Sequence, residues 1–386
     1  MKKKTFFLAA AIAMTTMVCG VTQTAQAQDE DKTVDSLISH IIKTPKGQQI
    51  KLEEYKKIFL NYANAEIEKT TSDISWHHPV TKAIEKIGKD YKTQHHQIPG
   101  VKDFYFSLLT NESPQLRGKA MQYLEFWRTE NEVVDKITDA LQNETEPFVI
   151  IRGISAVGHK FSENEKLAKF MLAQVDNPNK SVRSQLAWSV VSLRNKDSEA
   201  AKDVARKLIN DPEWTVQKNV LNSLGDFHDE SFIDDLEKIL NDPAQENLHS
   251  GAYKSLFEMW YNYNYTCKRA HDICYNYMSK KPRSKNVPNW LAVSMSFDNP
   301  AKYTQWRKEW KEKSPFFKES EWVNLLIDIA ADSQAYSFAR NSAIDTLKKL
   351  GTKEDLEAAK TKVAALPDTD RDRDDVIKRI DRVLNQ

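Results

Sequence analysis

Glycine and cysteine are scarce in this chain: ten Gly and three Cys among 386 residues. No Asn-Gly or Asp-Gly pair occurs, and no segment sustains an apolar/polar alternation of period two, so tight hairpins and half-buried strands find no support. There is no C-x-x-C, no H-E-x-x-H and no phosphate-cradling Gly-rich loop, which removes the redox, zinc-protease and P-loop classes those spacings serve. Past the first twenty residues no apolar run is long enough to span a bilayer. Surplus positive charge is missing too: 56 Lys and Arg stand against 55 Asp and Glu, for a net charge of +1. A protein that grips nucleic acid through bulk charge needs more than that.

What is present begins with a leader. Lys2, Lys3 and Lys4 form a basic start, Phe6 to Val18 a short apolar core, and Ala25-Gln26-Ala27 an A-x-A cleavage site, the three parts of a secretory signal segment. Cleavage after Ala27 is expected, with an exported, periplasmic or extracellular product. Without the three leader lysines the net charge of +1 becomes −2. Cys19 opens a lipoprotein alternative, but Val18 precedes it where a small residue is wanted. Cys267 and Cys274 remain. On one continuous helix a seven-residue gap is a rise of about 10.5 Å, beyond disulfide reach, so buried thiols are favoured over a helix break with a bridge.

The rest is organised around a recurring turn. An acidic or amide residue and a proline are followed by apolar residues three and four apart, at Pro114, Pro147, Pro178, Pro212 and Pro243. Asp or Asn caps the N–H groups of a new helix, and proline is tolerated in its first turn. The 3–4 spacing makes one apolar face, and a small residue (Ala120, Ala156, Ala187, Ala252) admits a neighbouring helix. A second amphipathic helix follows in each unit, as at 165–175, 200–209 and 232–240. Intervals of 31 to 34 residues built from two helices predict an α-solenoid.

The fullest copy, Asp176, Val182, Arg183, Ala187 and Val190, resembles the HEAT repeat, including its short bacterial form. Further copies hold Leu116-Arg117, Ile151-Arg152, Val216-Gln217 and, at a distance, Asp332 with Arg340, Ala343 and Leu347. Gln217 and His249 stand where the family has arginine. The resemblance implies an all-α superhelix whose post-turn helices line a concave face. Some HEAT-repeat enzymes bind iron through His-Glu pairs; no His here is followed by Glu, so that chemistry does not carry over.

In order, we expect a signal segment (1–27), an irregular helical cap (28–106), HEAT-like repeats (107–258), a divergent aromatic-rich segment (259–320), and a final repeat with two closing helices at 352–365 and 373–384 (321–386 in all). In the cap, Ile38, Ile41 and Ile42 form one apolar face, and Tyr55, Ile58, Phe59 and Tyr62 another.

Candidate chemistry is thin. Gly153-Ile-Ser155-Ala-Val157 is one residue short of a G-x-S-x-G elbow and lies on a helix rather than after a strand. The run from Asp368 has Arg373 and Arg379 where a calcium loop needs Gly and a bidentate Glu, and reads as a capped helix start. His77-His78 and His95-His96 could suit a metal or haem carrier, although adjacent residues on a helix point about 100° apart. Neither enzyme nor cofactor is expected. Surface aromatics on the concave face are the best binding candidates: Trp127 with Arg128, Trp188 with Arg194, Tyr253 and Trp260. They suit a protein or peptide partner, or a glycan stacked on the Trp- and Tyr-rich segment.

Overall fold

The structure is a computed structural model that describes residues 50–64, 94–261, 266–280 and 308–386. The faces expected at Ile38, Ile41 and Ile42, the His77-His78 pair, and the side chains of Ile58 and Tyr62 lie outside what it describes. Helices and turns make up the described residues, with no strand among them; the chain is an all-α solenoid. It divides into two compact units between Arg152 and Gly153.

In the first unit α1 (Leu52–Asn64) and α2 (Val101–Leu108) both pack on α3 (Pro114–Leu124), and α4 (Asn131–Leu141) and α5 (Pro147–Val157) follow; the division falls within α5. Its core is unusually aromatic: Tyr55, Phe59, Phe104, Tyr105 and Tyr123 are all buried, and the Tyr55 and Tyr105 hydroxyls bond each other. Gly100 caps α2 at φ +79°, a left-handed backbone that a side chain would strain. Gly118 lets α3 meet Phe148, since a Cβ there would lie 2.4 Å from its ring.

The second unit alternates two sets of helices. After α6 (Glu165–Ala173) come α7 (Lys180–Val190), α8 (Glu199–Leu208), α9 (Trp214–Leu221), α10 (Ile233–Asn241) and α11 (Glu246–Trp260). α7 packs on α9 and α9 on α11, while α8 packs on α7 and α9. Leu221 meets Gly251, and farther along Gly225 meets Glu258; both numbers rise together, so these successive segments run in the same direction. The predicted anchors Val182, Ala187, Val190, Val216, Val220, Ala252 and Leu256 are each fully buried. α12 (Lys268–Ser279) packs on α11, and a helical stretch at 308–313 precedes α13 (Glu319–Ala330). α14 (Ser337–Leu350), α15 (Lys353–Ala364) and α16 (Arg373–Leu384) complete the unit, with α13 on α15 and α14 on α16. No helix among the described residues is long and apolar enough to cross a membrane.

The turn works through one recurring hydrogen bond. Oδ1 of Asn111, Asn177, Asp211, Asp242, Asp332 and Asp370 each accepts the backbone N–H two residues on. In the third copy this residue is Asn177. The Asp176 of the expected pattern is exposed and pairs with Lys207, because its side chain stands one position outside the turn.

Two of these turns, and the turn in which Glu144 accepts the Glu146 N–H, are also clamped by an arginine from the preceding copy. Arg117 binds Glu144 through two nitrogens at 2.7 and 2.9 Å. Arg183 binds Asp211 at 2.6 and 3.0 Å, and Arg340 binds Asp370 at 2.9 Å. Each arginine also donates to a carbonyl of its own turn: Asn111, Asn177 and Ala330 respectively. Burial pushes the Glu144, Asp211 and Asp370 carboxyls up, but the arginines and turn amides outweigh it and hold all three below the usual range. Gln217 and His249, which replace arginine, keep the carbonyl bond, to Ile209 and Asp242, and His249 adds the Tyr277 hydroxyl at 2.8 Å.

Candidate functional site

α7 starts from the Asn177-Pro178 turn, where Asn179 accepts the Ser181 N–H. Its apolar face buries Val182, Leu186 and Val190. Trp188 falls between these positions, and an adjacent residue on a helix points about 100° away. The indole is therefore 59 % exposed. Around it the α7–α9 surface is polar and internally bonded: Asn219 donates to the Ser184 hydroxyl at 2.6 Å and to its carbonyl at 3.2 Å. Gln185 donates to Ser189 at 3.0 Å. A broad ring on a ridge of satisfied amides and hydroxyls can bury apolar area on contact without stranding a polar group. Arg194 is exposed a few residues past the end of the helix.

Tyr253 and Trp260, expected on the same kind of ridge, are instead fully buried. Trp260 lies at the end of α11, inside an aromatic core drawn from distant parts of the second unit. Its ring centroid is 4.8 Å from those of Trp322 and Phe257 and 4.9 Å from His271. Trp310 donates to the Trp260 carbonyl at 3.1 Å and Trp322 to the His271 ring at 3.1 Å. Trp260, Trp310 and Trp322 thus offer no face for a sugar to stack on; Trp290, Tyr303 and Trp306 lie outside the described residues. Cys267 and Cys274 are free and buried in the same region, and burial pushes both thiols up.

In the first unit Trp127 is half-buried and Arg128 exposed, the latter paired with Glu125. Beside them His95 is buried, its ring 4.7 Å from Phe126 and 4.8 Å from Tyr123. His96 stacks on Phe126 at 4.5 Å. Burial, then the neighbouring His96, lowers His95 to about 4, so it is a neutral part of an aromatic packing. Among the described residues no group of three His, Cys, Asp or Glu side chains could hold a metal ion.

One titratable group escaped the sequence reading. Glu258 lies over Gly225, where a Cβ would come within 2.4 Å of its Oε2. Burial, against the pull of Lys254 and with the help of Asp226, raises its carboxyl to about 7. No local motif marks it; the pattern of α11 alone reads Glu258 as a surface residue.

Residues 165–256 match the family model for HEAT repeats, covering α6 to most of α11. No curated protein matches the chain. Among solved structures, a similar chain is found in the complex of CpcE and CpcF of phycocyanin lyase from Nostoc sp. PCC7120. It is 13 % identical with a TM-score of 0.36, over 73 % of this chain and 94 % of that one.

Proposed function

We propose, from the HEAT repeats that residues 165–256 carry, that this protein is an exported, non-catalytic scaffold binding a protein or peptide partner on the face shared by α7, α9 and α11. The observation that carries this reading is Trp188, a large ring more than half exposed on a ridge whose polar neighbours are satisfied. Stacked repeats create extended binding surfaces, and Trp is the residue most enriched where binding energy concentrates. The leader at 1–27 and the buried, unpaired thiols are both compatible with export, since cysteines out of solvent do not scramble.

The test is a photo-crosslinking amino acid placed at position 188 of the full chain, expressed in its native host. A discrete adduct in the envelope fraction, absent when the probe is moved to an exposed site on α8 such as Glu199, is expected. Adducts that are equally diffuse at both positions would overturn the reading. Export is tested separately by N-terminal sequencing of mature protein. Gln28 as the first residue supports it, and a retained Met1 removes it.

A further inference from the structure

The paired helices α14 and α16 present matching stripes to one open groove of about 350 Å³. From α14 come Phe338, Asn341, Ser342 and Asp345; from α16 come Asp375, Lys378, Arg379 and Arg382. Each set has the spacing i, i+3, i+4, i+7, which is one face of a helix over two turns. Arg379 binds Asp345 in a fork across the groove, and Lys378 pairs with Asp375 at 3.1 Å. Those ion pairs cancel. Of the groups left over on its lining, the Ser342 hydroxyl among them, three define what the groove can hold. They are the Arg382 cation, the Phe338 ring, which is 62 % exposed, and the amide oxygen Asn341 Oδ1, which is buried without a hydrogen-bond partner.

We infer that this groove is a docking site for a short acidic peptide segment of a partner protein, bound in extended form. These three groups match the three features of such a segment. Arg382 takes a side-chain carboxylate, Phe338 takes an apolar side chain, and Asn341 Oδ1 accepts a backbone N–H, the one donor every non-proline residue carries. A stripe of seven helical steps is about 10.5 Å long, and an extended chain advances roughly 3.3 Å per residue, so the groove reads about three residues. A bare polyanion would leave Phe338 and the amide oxygen unused, and a basic segment would meet the surplus cation. Trp188 is not part of this groove.

The experiment uses the full mature chain and fluorescein-labelled decapeptides of alternating Glu and Leu, with Gln/Leu and Lys/Leu versions as controls, read by fluorescence anisotropy. Saturable binding of the Glu/Leu peptide is expected, weaker for the Gln/Leu and weakest for the Lys/Leu version. Arg382→Gln should weaken it about threefold to fivefold, the range of one exposed charge pair, and should flatten its salt dependence. Phe338→Ala should weaken it by a similar factor at any salt concentration. Trp188→Ala should leave it unchanged, so failure here and failure of the crosslink at 188 are separate results. Equal affinity for all three peptides, or loss in Trp188→Ala but not in Arg382→Gln, overturns the proposal. So does dextran sulfate competing with an affinity that Phe338→Ala does not alter, which would make the groove a general anion site.

Discussion

The clamp between Arg183 and Asp211 offers the sharpest test of how the repeats hold together. Asp211 shows 4 % of its side chain to solvent and Arg183 12 %. Replacing Arg183 with Met keeps much of the apolar stem but leaves a buried carboxylate whose remaining bond is from the Glu213 N–H. Breaking a buried pair on one side costs about 3–5 kcal/mol. Asp211→Asn added to Arg183→Met keeps an oxygen for the Glu213 amide and removes the stranded charge, so part of that loss should return, with a coupling of about 1–3 kcal/mol across the double-mutant cycle. The effect has a definite pH sign. In the native protein the Asp211 carboxyl is held below its ordinary range, burial being outweighed by Arg183 and the turn amide. Its contribution is present above the unfolded value of about 3.9 and is lost as pH falls through the folded value. Without Arg183 burial prevails and the folded value rises, so the penalty is full at pH 7 and shrinks towards pH 4. Urea denaturation followed by far-UV circular dichroism at pH 7.0 and 4.5 measures both. A loss under about 1 kcal/mol at pH 7, or the same loss at both pH values, would refute the clamp.

Three further outcomes follow from other sites. Glu258→Gln should stabilise the protein at pH 8 by up to about 3 kcal/mol, from a carboxyl raised from 4.5 to about 7. A raised carboxyl binds more protons folded than unfolded between those values, so stability falls as pH climbs through that window, and the gain should vanish at pH 4.5 in the same denaturation assay. Gly118→Ala should cost about 1–3 kcal/mol, since its Cβ would overlap the Phe148 ring, and Phe148→Leu in the same chain should recover some of it. Cys274 should resist a thiol reagent such as DTNB in native buffer and react once urea unfolds the chain, because it is buried and its thiol is pushed up; prompt reaction of both thiols in the folded state would contradict this.

The turns and apolar anchors were legible because they are local. An Asx residue, a proline and a 3–4 spacing fall within about ten residues, and Val182, Val190, Val216 and Val220 are buried as their spacing predicts. The helices at 353–364 and 373–384 end within a residue of their expected bounds. What sequence could not supply was partnership across long stretches of chain. Trp260 reads as a ridge residue until Trp310 and Trp322 are known to close over it. The same is true of Glu258, whose shifted carboxyl depends on packing over Gly225, a residue of the preceding copy. Asn177 rather than Asp176 makes its turn, a one-residue choice that adjacent capping residues leave open. The exposure of Trp188 is legible because it follows from helix phase alone.

Gln217 and His249 change how load would travel through the second unit. Where Arg183 and Arg340 reach an aspartate of the next turn, Gln217 bonds a carbonyl of its own turn and His249 reaches the Tyr277 hydroxyl; there the copies are tied instead by Lys254 on the Asn222 carbonyl and by Arg269 on Asp234. Amide exchange at the Asp242 turn, whose carboxylate receives no arginine among the described residues, should therefore outpace exchange at the Asp211 turn, which Arg183 clamps.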